Sequence, residues 1–223
     1  MFTAVVNGKT LDETDIKLLE LEEAHKALRL LKSRTGRSLE EIFTREELDE
    51  SAEQYKKWVA ESNGEWKSTD VRFTFKGLKA EEFLKNLANI TKDPFEALLF
   101  SPQHYVGEQI FDSNHNFLKN RVIEVAGGLP VEIFGKFGEE FSEVVPPNPE
   151  YPFRMVAKFY TRDDVHIMGC HHEFRDTEEG FEGTLAIYFP KAAEEARLHH
   201  QKHLCIEFRN MCWRALEIKN NRL

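Results

Sequence analysis

The chain has 223 residues, 41% of them hydrophobic, and a formal net charge of −9 at pH 7. This length supports one domain with an appendage rather than two equal domains, and an acidic chain without a Lys/Arg-rich face excludes a nucleic-acid backbone as the main partner. No run approaches the ~20 apolar residues of a membrane span and the start shows no signal-peptide pattern. Since three cysteines make no paired framework, we expect a cytoplasmic protein without a membrane partner.

Two charged amphipathic helices are predicted near the start of the chain. From Leu11 to about Lys32, apolar residues recur at helical spacing among charged ones, and a second helical pattern runs from Ser38 to Val59. We assign residues 1–65 to an N-terminal helical extension that covers the sheet. Packing on a second copy of the chain, which would give a homodimer, is the alternative.

Short β-rich segments then dominate, in residues 66–223. Val71 to Lys76 alternates apolar and polar residues, and a short helix follows from Lys79 to Ile90. Six more segments are bounded by turn residues: FEALLFSPQHYVGEQIF, RVIEVAGG, VEIFGKF, FRMVAKFYT, VHIMGCHHEF and GFEGTLAIYF. A long helix, Lys191 to about Lys219, ends the pattern. This order predicts an α+β fold in which a curved antiparallel sheet of about six or seven strands grips the C-terminal helix.

The Pro-dense stretch from Glu143 to Pro152 is predicted to be a loop between strands or a lid over a pocket. The chain also holds 18 phenylalanines. Aromatic side chains fill cores and line pockets for flat ligands, so this count is compatible with a cavity.

The last helix carries His203 and Glu207 four residues apart, which places both side chains on one face. That face also carries an apolar stripe, which should turn inward; its members are Leu204, Phe208, Met211 and Ala215. Because a glutamate is rarely buried without a partner or a metal, the pair indicates a metal site. A polar pair at the helix edge is the alternative, and His199 and His200 offer other pairings.

Further ligands must come from distant parts of the chain. His104 lies where a strand begins, and Glu124 lies within a strand on the same face as Val122 and Ala126. The strand pattern alone favours a solvated face for Glu124 over the mouth of a cavity, and a role at the loop edge for His104.

The adjacent His171 and His172 face opposite sides of their strand. Only one of them can therefore face a cavity, and the spacing does not say which.

Four stretches together resemble the diacetylphloroglucinol hydrolase and phloretin hydrolase family, which has a helix-grip fold of the Bet v 1 and START type. They are PQHY (102–105), VIEVAGG (122–128), MGCHHEFRDTEEGFEGTLAIYF (168–189) and HLCIEFRNM (203–211). The resemblance spans roughly residues 66 to 217. The N-terminal helices have no counterpart in it.

The resemblance implies a zinc-dependent hydrolase that uses a metal-bound water to cleave a carbon–carbon bond between an acyl carbonyl and a phenolic ring. The implied zinc ligands are His104, Glu124, His203 and Glu207, with Glu132, Glu139 and Glu140 as rivals to Glu124. By its spacing to Arg175, His172 matches the family's inward-facing strand histidine better than His171, and we take His172 as the candidate catalytic residue that orients a phenolic hydroxyl or shuttles its proton. Tyr105 and Tyr188 are the candidate substrate contacts.

A His/Glu site also accepts manganese or iron. The expected partner is an aromatic or polyketide small molecule: a diacylphloroglucinol, a dihydrochalcone, or an unrelated β-diketone or phenolic polyketide. A non-catalytic helix-grip carrier of a hydrophobic or aromatic molecule is the second hypothesis. A dimeric regulator is disfavoured, since the chain has no basic recognition helix.

Overall fold

The computed structural model describes residues 4–6, 9–34, 42–141 and 144–221. The helices are α1 (Glu13–Arg34), α2 (Arg45–Glu61), α3 (Ala80–Ile90), α4 (Pro94–Leu99) and α5 (Glu194–Asn220). The strands are β1 (Ala4–Val6), β2 (Lys9–Leu11), β3 (Trp66–Ser68), β4 (Val71–Lys76), β5 (His104–Phe111), β6 (Phe117–Ala126), β7 (Leu129–Phe137), β8 (Phe153–Tyr160), β9 (His166–Asp176) and β10 (Gly180–Pro190). Within this described part of the chain, no helix has the length and apolar character needed to cross a bilayer.

An antiparallel sheet of eight strands curves around α5, which confirms the predicted α+β class. Its order is β3-β10-β9-β8-β7-β6-β5, and β4 also pairs with β10. The prediction of about six or seven strands was one short, because the three residues of β3 form a separate strand at the end of β10. A two-stranded hairpin of β1 and β2 was not predicted.

Alternation along the strands creates an inner face against α5 and an outer face. On β10 the inner residues Leu185, Ile187 and Phe189 join the main core, whereas Ala186 and Tyr188 join a separate outer cluster. Leu204 and Phe208 of α5 are buried in the same main core. The apolar stripe of the last helix therefore faces the sheet as predicted.

The segment FEALLF, which was predicted to begin a strand, instead forms α4. Asp93 caps this helix, since its side chain accepts a hydrogen bond from the backbone N–H of Phe95 at 3.0 Å, and Pro94 occupies the first turn. Strand β5 begins only at His104. The pair Asp93-Pro94 is the local signal for this helix start, although the same pair also fits a turn.

The first half of helix α2 packs on the outer face of the sheet, and Tyr55 in its second half joins the main core. Leu48 contacts the cluster of Val106 and Ile123, and Arg45 forms a 2.8 Å ion pair with Glu132. The helix begins at Arg45 rather than Ser38 because Thr44 forms a capping box with Glu47. Residues 38–41 lie outside the described residues.

The Pro-dense loop lies against the outer face of the sheet. The backbone N–H of Asn148 donates to the Glu173 carboxylate at 2.8 Å, and Val144 and Val145 pack against the cluster that contains Tyr188. Of the two predicted roles, the described part of the segment has that of a loop between strands. A lid would have to cover the cavity, which lies on the inner side of the sheet.

Gly127 joins β6 to β7 and touches the first turn of α5. Its φ is +61°, and a Cβ there would lie 2.9 Å from Cα of Ala196. Gly128 has a φ of +82°, but a Cβ there would meet nothing within 4 Å. The turn after the strand that carries Glu124 therefore fits closely under α5.

Replacing Gly127 by Ala should destabilise the protein more than replacing Gly128 by Ala. The Gly128 variant bears only the left-handed backbone cost of about 1 kcal/mol, whereas the Gly127 variant must also displace helix backbone, for a total of about 3 kcal/mol. Urea unfolding of both variants measures the difference. Equal losses would contradict the close packing of α5 on this turn.

Candidate metal centre

Two imidazoles and two carboxylates converge between the sheet and α5. His104 and Glu124 are direct partners in the β5–β6 ladder, so both side chains point to the inner face. His203 and Glu207 come down from α5, one turn apart. His104 and Glu124 are 8% and 4% exposed, and His203 is 4% exposed. The four residues therefore meet between the sheet and α5, three of them buried and Glu207 partly exposed.

The distances suit a single divalent cation. The Nε2 atoms of His104 and His203 lie 3.0 Å apart. Glu124 Oε2 lies 3.6 Å and 3.8 Å from these two nitrogens, and the Glu207 oxygens lie 3.7 Å from each. Ligands about 2.0–2.1 Å from a tetrahedral zinc are about 3.4 Å apart. Ligand atoms of His104, His203 and Glu207 all lie within 4.8 Å of one another and can close around an ion with small movements. Glu124, which is close to both imidazoles, is the candidate fourth ligand.

Hydrogen bonds behind the imidazoles orient both rings. His104 Nδ1 donates to the carbonyl of Ala97 at 3.0 Å, and since a carbonyl only accepts, the Nε2 of this ring carries the free lone pair. His203 Nδ1 lies 3.3 Å from Ser101 Oγ. Contacts of this kind fix the tautomer of a metal-bound histidine. The lone pair of His104 thus faces Nε2 of His203 at 3.0 Å, with the two carboxylates slightly farther away.

Burial changes the charge state of all four groups. It raises the pKa of Glu124 to about 8, with a further contribution from the negative charge of Glu207, and raises the pKa of Glu207 to about 7. Burial lowers the pKa of His104 to about 4 and also lowers that of His203. Two ionised carboxylates would be costly here without a cation, and a bound divalent ion removes that cost.

Without metal, the free energy of unfolding should be greatest near pH 6.5. Between about pH 4.5 and 6.5 burial keeps neutral in the folded protein four histidines that are protonated in the unfolded chain: His104, His172, His200 and His203. The folded protein holds only two extra protons in this range, on Glu124 and Glu207, so the unfolded chain binds more protons and stability rises with pH. Above pH 6.5 the folded protein still holds protons on Glu207 to about pH 7 and on Glu124 to about pH 8, so stability falls. Zinc should remove this decline, since it takes the place of those protons.

Urea unfolding of chelator-treated protein from about pH 5 to about pH 9 measures the profile. The Glu124→Gln variant, which has no carboxyl to ionise at that position, should lose much of the decline above pH 6.5. A stability that keeps rising from pH 6.5 to 8 in the wild-type protein would contradict the buried carboxyl pair.

His200 is a fifth member of the cluster and was not predicted as a site residue. It is 4% exposed, its ring stacks on His203 with centroids 4.7 Å apart, and its Nδ1 lies 3.5 Å from Glu124 Oε1. Burial lowers its pKa to about 3. The signal was present in the sequence, because His200 lies three residues before His203 and seven before Glu207, on one helix face.

An apolar cavity of about 500 Å³ opens beside the cluster. His104, Glu124, His200 and Glu207 line one part of its wall, and apolar side chains such as Val122, Ile133, Met155, Phe159, Met168 and Met211 line most of the remainder. The volume falls in the range of small-molecule sites.

His172, rather than His171, faces this cavity. Its ring packs edge-on against Phe208 with centroids 4.9 Å apart, and burial lowers its pKa to about 3. Among the described residues, His172 Nδ1 has no hydrogen-bond partner. His171 points to the outer face, where its Nε2 lies 3.0 Å from a Glu173 oxygen. The cavity wall therefore includes a neutral imidazole with an unpartnered ring nitrogen.

The rival glutamates lie elsewhere. Glu132 lies on the outer face and pairs with three arginines; these are Arg45, Arg121 and Arg162. Glu139 accepts a hydrogen bond from the Tyr160 hydroxyl at 2.6 Å, and Glu140 pairs with Arg154 at 3.1 Å. Of the four glutamates considered, the geometry brings Glu124 to the histidines.

The two candidate substrate tyrosines do not line the cavity. Tyr105 packs against Phe43, with ring centroids 5.0 Å apart, in the cluster under α2. The β5–β6 register shifts between His104 and Val106, so a bulge separates Tyr105 from the inner face. Tyr188 is an outer residue of β10 that packs with Phe141. Both side chains contribute to the packing of the outer face.

The strand pattern alone was misleading for Glu124 and His104. It favoured a solvated face and a loop edge, but both side chains are buried because α5 crosses this part of the sheet. Periodicity identifies which residues share a face and not what covers that face.

No protein-family model matches the chain, and no curated protein does. Among solved structures, the crystal structure of Ara h 8.0201 is similar with a TM-score of 0.48 and 10% identity, over 69% of this chain and 99% of that chain. An uncharacterised protein from Rhizobium leguminosarum is similar with a TM-score of 0.39 and 13% identity, over 68% of this chain and 95% of that chain. Neither likeness bears on the site. The helix-grip architecture follows from the strand order and α5 of this chain itself, with a cavity that has room for a small molecule.

Proposed function

We propose that the protein is a zinc-dependent hydrolase that cleaves a carbon–carbon bond between an acyl carbonyl and an electron-rich phenolic ring. The observation that supports this most is the junction of an apolar cavity with a cluster of His104, His203 and Glu207, beside which Glu124 lies within 3.8 Å of both imidazoles. The cluster offers a cation site of the kind used in hydrolysis. The cavity offers an apolar space for a flat ring.

The reaction adds water across the bond. The water oxygen bonds to the acyl carbon, the electron pair of the breaking bond goes to the ring carbon, and that carbon takes up a proton. The products are a carboxylic acid and the deacylated phenol. A divalent cation in the cluster would polarise the acyl carbonyl and make water more acidic.

His172 is proposed to bind and orient a phenolic hydroxyl of the substrate. Its side chain lines the cavity, its buried Nδ1 has no hydrogen-bond partner among the described residues, and its lowered pKa keeps the ring neutral at neutral pH. A neutral ring nitrogen can accept a hydrogen bond from the phenolic hydroxyl and hold the ring in position. The ring of Phe208 holds the imidazole edge-on in place.

Incubation of purified protein with an acetylated phloroglucinol tests the proposal. We expect free acetate and phloroglucinol in equal amounts, loss of the reaction after treatment with a chelator, and recovery with zinc. Phenyl acetate, an oxygen ester, serves as the control for simple esterase activity. Acetate release that is indifferent to chelation, or no release at all by zinc-loaded protein, would overturn the proposal.

A carrier of hydrophobic molecules is the second candidate, because the cavity wall is mostly apolar. In the same experiment a carrier would bind the ketone and return it unchanged, and its binding would not depend on zinc. This outcome would favour the carrier over the hydrolase.

A further inference from the structure

We infer that Asn120 and Gln109 form a second polar subsite of the cavity, which binds the far end of an elongated ligand through a hydroxyl or amide hydrogen. The inference deepens the proposed function and rests on it for the ligand end that lies at the metal cluster. The assignment of Asn120 and Gln109 depends only on the residues that line the cavity.

Strand β6 carries the wall of the cavity from the cluster to this subsite. Glu124, Val122 and Asn120 are alternate residues of one strand, and all three line the cavity. With a rise of about 3.3 Å per residue, four residues separate Asn120 from Glu124 by about 13 Å. Asn120 therefore lies well beyond the reach of the metal ligands.

Gln109 lies beside Asn120. The two residues are direct partners in the β5–β6 ladder, and both line the cavity. Side chains of direct partners are close enough to act on the same ligand group. The two amides thus form a polar patch in a wall that is otherwise apolar at Val122 and Ile133.

Asn120 has no structural task that the described residues reveal. Its Oδ1 is buried, and within the described ranges it has no hydrogen-bond partner. A buried amide oxygen without a partner costs free energy that a ligand donor would recover. On its other side Asn120 pairs with Gly135, over which the Phe159 ring packs so closely that a Cβ would meet it at 2.8 Å. The patch therefore has an aromatic neighbour on the same wall, since Phe159 also lines the cavity.

The expected ligand has a carbonyl at one end, an apolar or aromatic body, and a hydrogen-bond donor on the order of 10 Å away, as the strand spacing requires. A phenolic hydroxyl suits both amides, because an amide oxygen accepts from it and an amide N–H₂ donates to it. A compact acylated single ring would leave Asn120 without a partner.

Calorimetric titration of the zinc-loaded chain with two ketones tests the subsite. The probes are 4-(4-hydroxyphenyl)butan-2-one and 4-phenylbutan-2-one, which differ by one hydroxyl and carry no acyl–aryl bond to cleave. We expect the wild-type protein to bind the hydroxylated ketone about 10-fold more tightly. In Asn120→Leu the preference should fall to about 1-fold, whereas Asn114→Leu, the same change in an exposed turn, should keep it. Asn120→Ala replaces Asn120→Leu if circular dichroism shows that the leucine variant is unfolded.

Three results would overturn the subsite: no preference in the wild-type protein, a preference that survives in the Asn120 variants, or no binding of either ketone. Acetate release from acetylated phloroglucinol by the wild-type protein reports separately on the proposed function. A protein that prefers the hydroxylated ketone but releases no acetate would retain the subsite and lose the hydrolase. Release of acetate without a preference would do the reverse.

Discussion

Replacing His203 by Ala should reduce bound zinc from about one per chain to nearly none and bring turnover to the background level. His203 Nε2 lies 3.0 Å from His104 Nε2 and within 3.8 Å of both carboxylates. The variant keeps three of the four candidate ligands and lacks the imidazole that contacts each of them. Since even residues behind the ligands change metal affinity by about 10- to 100-fold, loss of a ligand should cost at least about 100-fold.

Metal analysis after dialysis and competition with a chromophoric chelator measure the effect. His199→Ala is the matched control, because His199 belongs to the same helix but does not line the cavity. That variant should keep its zinc. Equal zinc contents in the two variants would show that the histidines of α5 do not hold the ion.

Replacing His172 by Ala should lower turnover of an acetylated phloroglucinol by about 100-fold or more while bound zinc stays unchanged. His172 comes from β9 and lies on the cavity wall, whereas the metal ligands come from β5, β6 and α5. If His172 orients the phenolic hydroxyl, its loss affects the phenolic ring, which is the leaving group of the reaction, and not the metal. The loss should therefore appear in turnover and not in metal content.

His171→Ala is the neighbouring control, because that side chain faces outward and contacts Glu173. Turnover per folded molecule should persist in it, even if the protein unfolds at lower urea concentration. Unchanged turnover in His172→Ala would remove His172 from the mechanism.

Local patterns predicted most of the fold. Alternation in Val71–Lys76 and the β-rich composition of the turn-bounded segments of β9 and β10 predicted strands, and the apolar stripe of α5 predicted the face that lies on the sheet. The strand predicted from Phe95 was wrong at its start, because six apolar-rich residues fit a helix turn or a strand equally well. There the cap at Asp93 decided the outcome.

The site could be predicted only in part. The spacing of His203 and Glu207 is a local property of one helix, so the sequence pattern alone indicated the pair. Glu124 is buried because α5 covers that part of the sheet, and Tyr105 faces outward because of the bulge after His104. Neither is visible in periodicity. For His200, by contrast, the sequence does contain a signal, because it lies seven residues before Glu207 on the same helix face.

Diffraction from crystals grown with zinc, with data on both sides of the zinc absorption edge, tests the central claim most directly. The account predicts one anomalous peak per chain, about 2.0–2.2 Å from Nε2 of His104 and His203 and from the carboxylates of Glu124 and Glu207. A zinc-loaded crystal without a peak between these four groups, or with the Glu207 carboxylate turned out to solvent, would contradict it.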